Sequence, residues 1–149
     1  MDIREIEKGE RPALRALVEA AFDRLREVEL IDRLHADGDV LCDLVAVEEG
    51  RIVGQATLSR MVSPAGWACL APLSVHPDHQ HRGIGGHLAK ACAAFDGAEA
   101  VVVLGDPDFY SHHGFLPAPE GTTSRFPLSH TLVAGHGEAV DLRYPAAFG

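Results

Sequence analysis

Basic charge is scarce in this chain of 149 residues: 13 Lys and Arg stand against 22 Asp and Glu, a formal net charge of -9. A nucleic-acid surface needs clustered Lys and Arg to neutralise phosphates, so no nucleic-acid partner is expected. Cysteine is sparse too. Cys42, Cys69 and Cys92 are odd in number and follow no C-x-x-C spacing. They read as small buried apolar residues rather than as a disulfide frame or a zinc site. Long hydrophobic runs are absent, so no segment is expected to span a bilayer. The opening "MDIREIEKGERP" is charged from its second residue, unlike a secretory signal. There is no internal repeat, low-complexity tract or dividing linker. These absences lead to the expectation of a single, soluble, cytoplasmic domain over residues 1–149. Its ligand should be a small molecule or a cationic substrate drawn in by the negative field.

What is present is a mixture of two periodicities. "DIREI" alternates as a strand does, and "RPALRALVEAAF" has Pro12 at a helix start with Leu14, Leu17, Val18, Ala21 and Phe22 on one face. "REVELIDRLHADG" is a second amphipathic helix ending near Gly38. "CDLVAVEEGRIVGQATLSRM" reads as a hairpin around Glu49-Gly50. "WACLAPLSVHP" is a strand containing Pro72, where a ladder donor is missing; such a strand lies at an edge or where its ladder is already broken. "GIGGHLAKACAAF" then sets Ile84, Leu88, Cys92 and Phe95 at helical spacing with Gly97 as a stop, and "AVVVLGD" is a strand buried on both faces. Strand, helix and buried strand in this order predict a right-handed βαβ unit. "FLPA" and "LVAGHGEAVDLRYP" are expected to supply later strands, giving a mixed α/β fold with one central sheet.

The stretch "HPDHQHRGIGGH", His76 to His87, admits two chemistries. Its four histidines suggest a metal, but Pro77 and Gly83 interrupt any i, i+4 repeat, and no H-E-x-x-H or second Cys/His pair closes a ligand set. Its glycines argue differently. Each glycine inside a helix costs about 1 kcal/mol relative to alanine, and a tight turn needs only one. Gly83, Gly85 and Gly86 across a first helical turn therefore suggest a backbone that comes close to an anion, with free N–H groups aimed at it and Arg82 adding charge. Neither a P-loop nor a dinucleotide fingerprint fits the spacing, because no Lys-Ser/Thr follows Gly86 and Leu88 stands where a third glycine would be required.

"QHRGIG", Gln80 to Gly85, resembles the R/Q-x-x-G-x-G/A signature of the GCN5-related N-acetyltransferases, which bind the acetyl-CoA pyrophosphate at that motif. The flanks "LAPLSVHPDHQHRGIG" and "VVVLGDPDFYSHHGF" match as well, and "VDLRYPAAF" is similar to a YhbS-like subgroup, so the resemblance covers nearly the whole chain. It implies a central mixed sheet of about seven strands, with the fourth and fifth splayed apart and helices on both faces. It also implies acetyl-CoA as cosubstrate with no metal, pantetheine paired to Leu73, Ser74 and Val75, and pyrophosphate held by Gln80, His81, Arg82, Gly83, Ile84, Gly85 and Gly86. Tyr110 matches the family's Y-x-x-x-G-F tyrosine, the usual partner of the leaving thiolate. Many relatives carry a glutamate on the fourth strand, and "WACLAPLSVHP" has none; Glu29, His76 and Asp106 are the candidates for a general base, Glu29 first, with a water relay as the alternative. The implied reaction is acetyl transfer to a primary amine on a small molecule or peptide, with a homodimer as a possible assembly. The competing classes are an acyl-CoA-binding module without turnover and a metal protein using the histidines.

Overall fold

The computed structural model describes residues 1–22 and 25–149. In chain order the elements are β1 (Asp2–Glu5), α1 (Arg11–Ala21), α2 (Arg26–Ala36), β2 (Val40–Glu48), β3 (Arg51–Arg60) and β4 (Ala68–Val75). They continue with α3 (Ile84–Ala93), β5 (Val101–Leu104), the single turn α4 (Pro107–Tyr110), β6 (Leu116–Pro117) and β7 (Thr131–Ala134). The strands form one sheet in the order β1-β2-β3-β4-β5-β7-β6. All neighbours are antiparallel except β4 and β5, which run parallel around α3 as the βαβ pattern requires.

Local chemistry accounts for the boundaries. Glu49 and Gly50 both have positive φ (51° and 76°), the requirement of a two-residue hairpin turn, and Glu48 pairs with Arg51 across it. Gly38, φ 74°, takes the left-handed position just past α2. Leu14, Leu17 and Val18 of α1 and Val28, Ile31 and Leu34 of α2 are buried against one face of the sheet. Ile84, Leu88 and Cys92 of α3 pack with Leu58, Leu70, Val101 and Val103 on the other, so helices cover both faces. Cys42, Cys69 and Cys92 are free and buried. Burial pushes the Cys42 and Cys92 thiols up to about 12 and Cys69 higher still. No helix among the described residues is long and apolar enough to cross a membrane.

Three sequence expectations need correction. The third helix ends at Ala93 with Ala94 as its cap, so Phe95 lies beyond it and Gly97 is not the stop. "FLPA" yields only Leu116–Pro117 as strand, with one further bond from Ala118 N–H to the Thr131 carbonyl (2.9 Å) before the chain leaves the sheet. "LVAGHGEAVDLRYP" contributes strand only through Ala134. At Gly135 (φ 91°) the chain turns against Ala100, where a Cβ would lie 3.2 Å from the Glu99 carbonyl oxygen. The later part of that stretch is extended but bridges loops, Thr123 to Asp141 and Ser63 to Arg143, rather than joining the sheet.

Candidate active site

β4 changes character halfway along. Ala68, Cys69 and Leu70 pair with β3 on one side and with Val101, Val102 and Val103 of β5 on the other. The parallel pairing stops there. On the β3 side the register jumps from Leu58↔Leu70 to Ala56↔Leu73, so Thr57 alone opposes Ala71 and Pro72. This is a β-bulge, and it places the proline where no ladder donor is required. The Ala71-Pro72 peptide is cis.

Past the bulge β4 has a neighbour on one side only. His76 N–H donates to the Val53 carbonyl (2.8 Å), which makes Val53 and His76 a hydrogen-bonded pair of the antiparallel ladder. Strict alternation then turns the main-chain groups of Ser74 toward Gln55, and those of Leu73 and Val75 away from β3, toward the side β5 has left. The only described group that reaches them is the Gln80 amide, 3.5 Å from the Val75 carbonyl oxygen. The Ser74 side chain is turned inward, 2% exposed, and donates to Gln55 Oε1 (2.8 Å).

The glycine-rich turn abuts this opening. His81 (φ 63°) and Gly83 (φ 83°) both take left-handed backbone, and Gly83 caps α3. The first helical bond inside this turn runs from His87 N–H to the Gly83 carbonyl, so the N–H groups of Ile84, Gly85 and Gly86 have no helical acceptor. The three glycines do different jobs. Gly83 supplies the positive φ. At Gly85 a Cβ would point at Leu73, Val75 (both 3.6 Å) and Phe109 (3.7 Å), into the opening itself. At Gly86 a Cβ would come within 2.5 Å of His113 Nε2, so that glycine admits the imidazole ring. Arg82 is engaged: its guanidinium donates to Glu48 Oε1 (2.6 Å) and contacts His79 Nδ1 (2.8 Å), holding the Glu48 carboxyl below the usual carboxylate range.

Tyr110 ends α4. Its ring makes edge contacts with Phe109 (4.9 Å) and Phe115 (5.6 Å). Burial pushes that phenol up to about 12. Glu29 lies across the sheet from α3, exposed on α2. It lines a cavity of about 400 Å³ with Arg26, Leu30, Phe126, Phe148 and Leu104, the residue that ends β5. The other two candidate bases carry capping bonds: His76 Nδ1 accepts from Asp78 N–H (3.1 Å), and Asp106 accepts from Asp108 N–H (3.0 Å). Among the described residues no three His, Cys, Asp or Glu side chains converge as a metal site. The sequence reading missed Phe109, His113 and Glu48; only Phe109, one residue before Tyr110, carried a signal.

An opened parallel pair beside a glycine-rich helix start is the architecture of the GNAT acetyltransferases. Residues 41–117 match the family model described as an acetyltransferase (GNAT) domain, and the chain belongs to that family. Within it, the chain is similar to the uncharacterized N-acetyltransferase YhbS of Escherichia coli K12, at 33% identity over 141 residues, 87% of this chain and 83% of that protein. It is also similar to the uncharacterized N-acetyltransferase YjhQ of the same strain, at 30% identity over 135 residues, 82% and 74% of the two chains. A Brucella melitensis GNAT family acetyltransferase in complex with acetyl-CoA superposes with a TM-score of 0.80 at 30% identity, covering 99% of this chain and 97% of that one. YhbS of Escherichia coli in complex with CoA gives 0.80 at 26% identity, with 99% and 91% covered.

Proposed function

We propose that this chain transfers an acetyl group from acetyl-CoA to the nitrogen of a primary amine, by direct attack on the thioester. The observation that carries this reading is the bare main chain of Leu73 and Val75, next to the Gly85 backbone and the unpaired N–H groups at the start of α3. Leu73 and Val75 offer extended-strand pairing to the pantetheine amides. Gln80, His81, Arg82, Gly83, Ile84, Gly85 and Gly86 receive the pyrophosphate at the positive end of the helix. Two structural relatives held acetyl-CoA or CoA in their crystals, which supports the choice of donor.

Chemistry follows from what each group can do. A backbone N–H of β4 polarises the thioester carbonyl and takes the charge that develops on its oxygen. The amine lone pair attacks the carbonyl carbon, the C–N bond forms, and the C–S bond breaks to release thiolate. Tyr110 donates a hydrogen bond to that thiolate. Full proton transfer from a phenol raised to about 12 to a thiol near 8.5 would be about 5 kcal/mol uphill, so Tyr110 stays protonated. The proton lost by the amine goes to Glu29, directly or through water, because Glu29 shares its cavity with the end of β5. The net charge of -9 favours approach of a cationic amine, which gives one proton to solvent before its lone pair attacks.

Two measurements test this. Acetyl-CoA at a hundredfold excess over Kd is expected to stabilise the native state by about 2.7 kcal/mol, and no thermal shift at millimolar acetyl-CoA overturns the donor. Release of free thiol is expected with some member of an amine panel. Binding without release on any amine would favour an acyl-CoA-binding module instead, a reading supported by the lack of any acid in Ala68–Val75.

A further inference from the structure

One sheet face carries a row of buried polar side chains that the reaction above does not use. Asp43, Thr57, Gln55 and Ser74 are at most 4% exposed, on a face covered by α1 and α2. They form a single chain across three strands. Ser74 Oγ donates to Gln55 Oε1 (2.8 Å), Gln55 Nε2 donates to Thr57 Oγ1 (3.0 Å), and Thr57 Oγ1 donates to Asp43 Oδ1 (2.6 Å). His35 of α2 closes the chain, its Nε2 lying 2.8 Å from Asp43 Oδ2. A carboxylate only accepts, so every donor in the row points the same way, toward Asp43.

The register explains how four side chains line up. Asp43 and Thr57 are directly opposed on β2 and β3, Gln55 and Ser74 are directly opposed on β3 and β4, and Gln55 and Thr57 are two residues apart on one strand face. Packing alone does not ask for this arrangement. Polar groups cost free energy to bury, and apolar residues of similar size serve a sheet interior at least as well. The row also cannot be a simple proton wire, because a neutral amide stands in its middle.

Its position suggests another use. Ser74 lies between Leu73 and Val75, the two residues whose main-chain groups face the opening. Here β4 has lost β5 as a neighbour and has just passed a bulge, so its main chain is bonded to the sheet on the β3 side alone. We infer that the buried chain Ser74–Gln55–Thr57–Asp43, closed by His35, positions the open half of β4. It ties that segment to a fixed carboxylate two strands away and so aligns the Leu73 and Val75 donors with the thioester oxygen. These are positioning residues and touch no substrate. The inference rests on the transfer reading above, since aligned donors matter most when charge develops on that oxygen.

The test compares Ser74→Ala, the double variant Gln55→Leu with Ser74→Ala, and Ser74→Thr. The double variant replaces both partners of the last bond by apolar groups and also removes the donor to Thr57 Oγ1, whose own O–H stays bonded to Asp43, so no buried donor is left unpaired. Steady-state thiol release separates kcat from KM, and amide hydrogen exchange is read at positions 74 and 76, whose N–H groups bond to β3. Expected is a fall in kcat of about tenfold to hundredfold in the first two variants, with KM for acetyl-CoA within about threefold of the parent. Exchange at 74 and 76 rises about tenfold or more relative to β2, and Ser74→Thr restores both readouts. Unchanged kcat and exchange in folded Ser74→Ala and in the double variant overturn the inference. So does a loss of kcat that follows melting temperature and is not restored by threonine. If the parent transfers to no amine, the transfer reading fails by itself and exchange decides: faster exchange at 74 and 76 upholds the anchoring of β4, and unchanged exchange refutes it.

Discussion

The two halves of β4 share one strand and differ in almost everything else. Ala68 to Leu70 are hydrogen-bonded on both sides and fully buried, with side chains locked between α3 and the far face. Leu73 to Val75 keep one neighbour, and Leu73 and Val75 are half-buried. The first half behaves as scaffold, because every backbone group is spent on the fold. The second has main-chain groups to spare, and those are the groups a ligand can use. The binding site proposed for this protein is made by withholding a strand partner rather than by adding a special side chain. The bulge at Ala71-Pro72 is the point of division.

Substitutions in the two halves should therefore separate stability from binding. Leu70→Ala, in the closed half and 1% exposed, is expected to cost about 2–5 kcal/mol of stability by denaturant titration, while acetyl-CoA affinity of the folded variant stays near the parent. Gly85→Val should do the reverse. A Cβ at Gly85 fits in ordinary contact, but the extra methyl groups would occupy the opening between Leu73, Val75 and Phe109. Affinity by calorimetry should fall roughly tenfold to hundredfold with the fold intact by circular dichroism. His79→Ala with His81→Ala leaves the helix N–H groups in place and should change affinity only a few-fold; the opposite order would move the site to the histidines.

Tyr110→Phe keeps the ring contacts with Phe109 and Phe115 and removes one hydroxyl. Turnover is expected to fall about tenfold with acetyl-CoA affinity unchanged, the value of one hydrogen bond to a charged group. Equal turnover would make Tyr110 a packing residue and confine the chemistry to β4. The smallest effect belongs to Glu48→Gln. It releases Arg82 from an ion pair at the rim of the opening and should tighten acetyl-CoA binding about two- to fivefold at low salt, fading as salt rises.

Part of the open half is legible in the sequence. Pro72 in an apolar strand signalled an edge or a broken ladder, and the structure has the broken ladder; the hairpin at Glu49-Gly50 followed from turn chemistry. What stayed hidden depends on pairing across distance. Asp43, Gln55, Thr57 and Ser74 look like the outward residues of alternating strands, and the packing of α1 and α2 turns that face inward. The Arg82–Glu48 contact joins residues 34 apart in sequence and leaves no local pattern. The segment after Gly135 alternates like a strand, yet the turn over Ala100 takes it off the sheet before it can pair.

The three sealed thiols have a practical consequence. Cys42, Cys69 and Cys92 are at most 6% exposed and resist ionisation, and disulfide-exchange reagents attack only thiolate that they can reach. The native protein is therefore silent toward a chromogenic disulfide, which makes it its own blank. Any colour that develops in the presence of acetyl-CoA reports the coenzyme's sulfur alone, and colour without it reports unfolding.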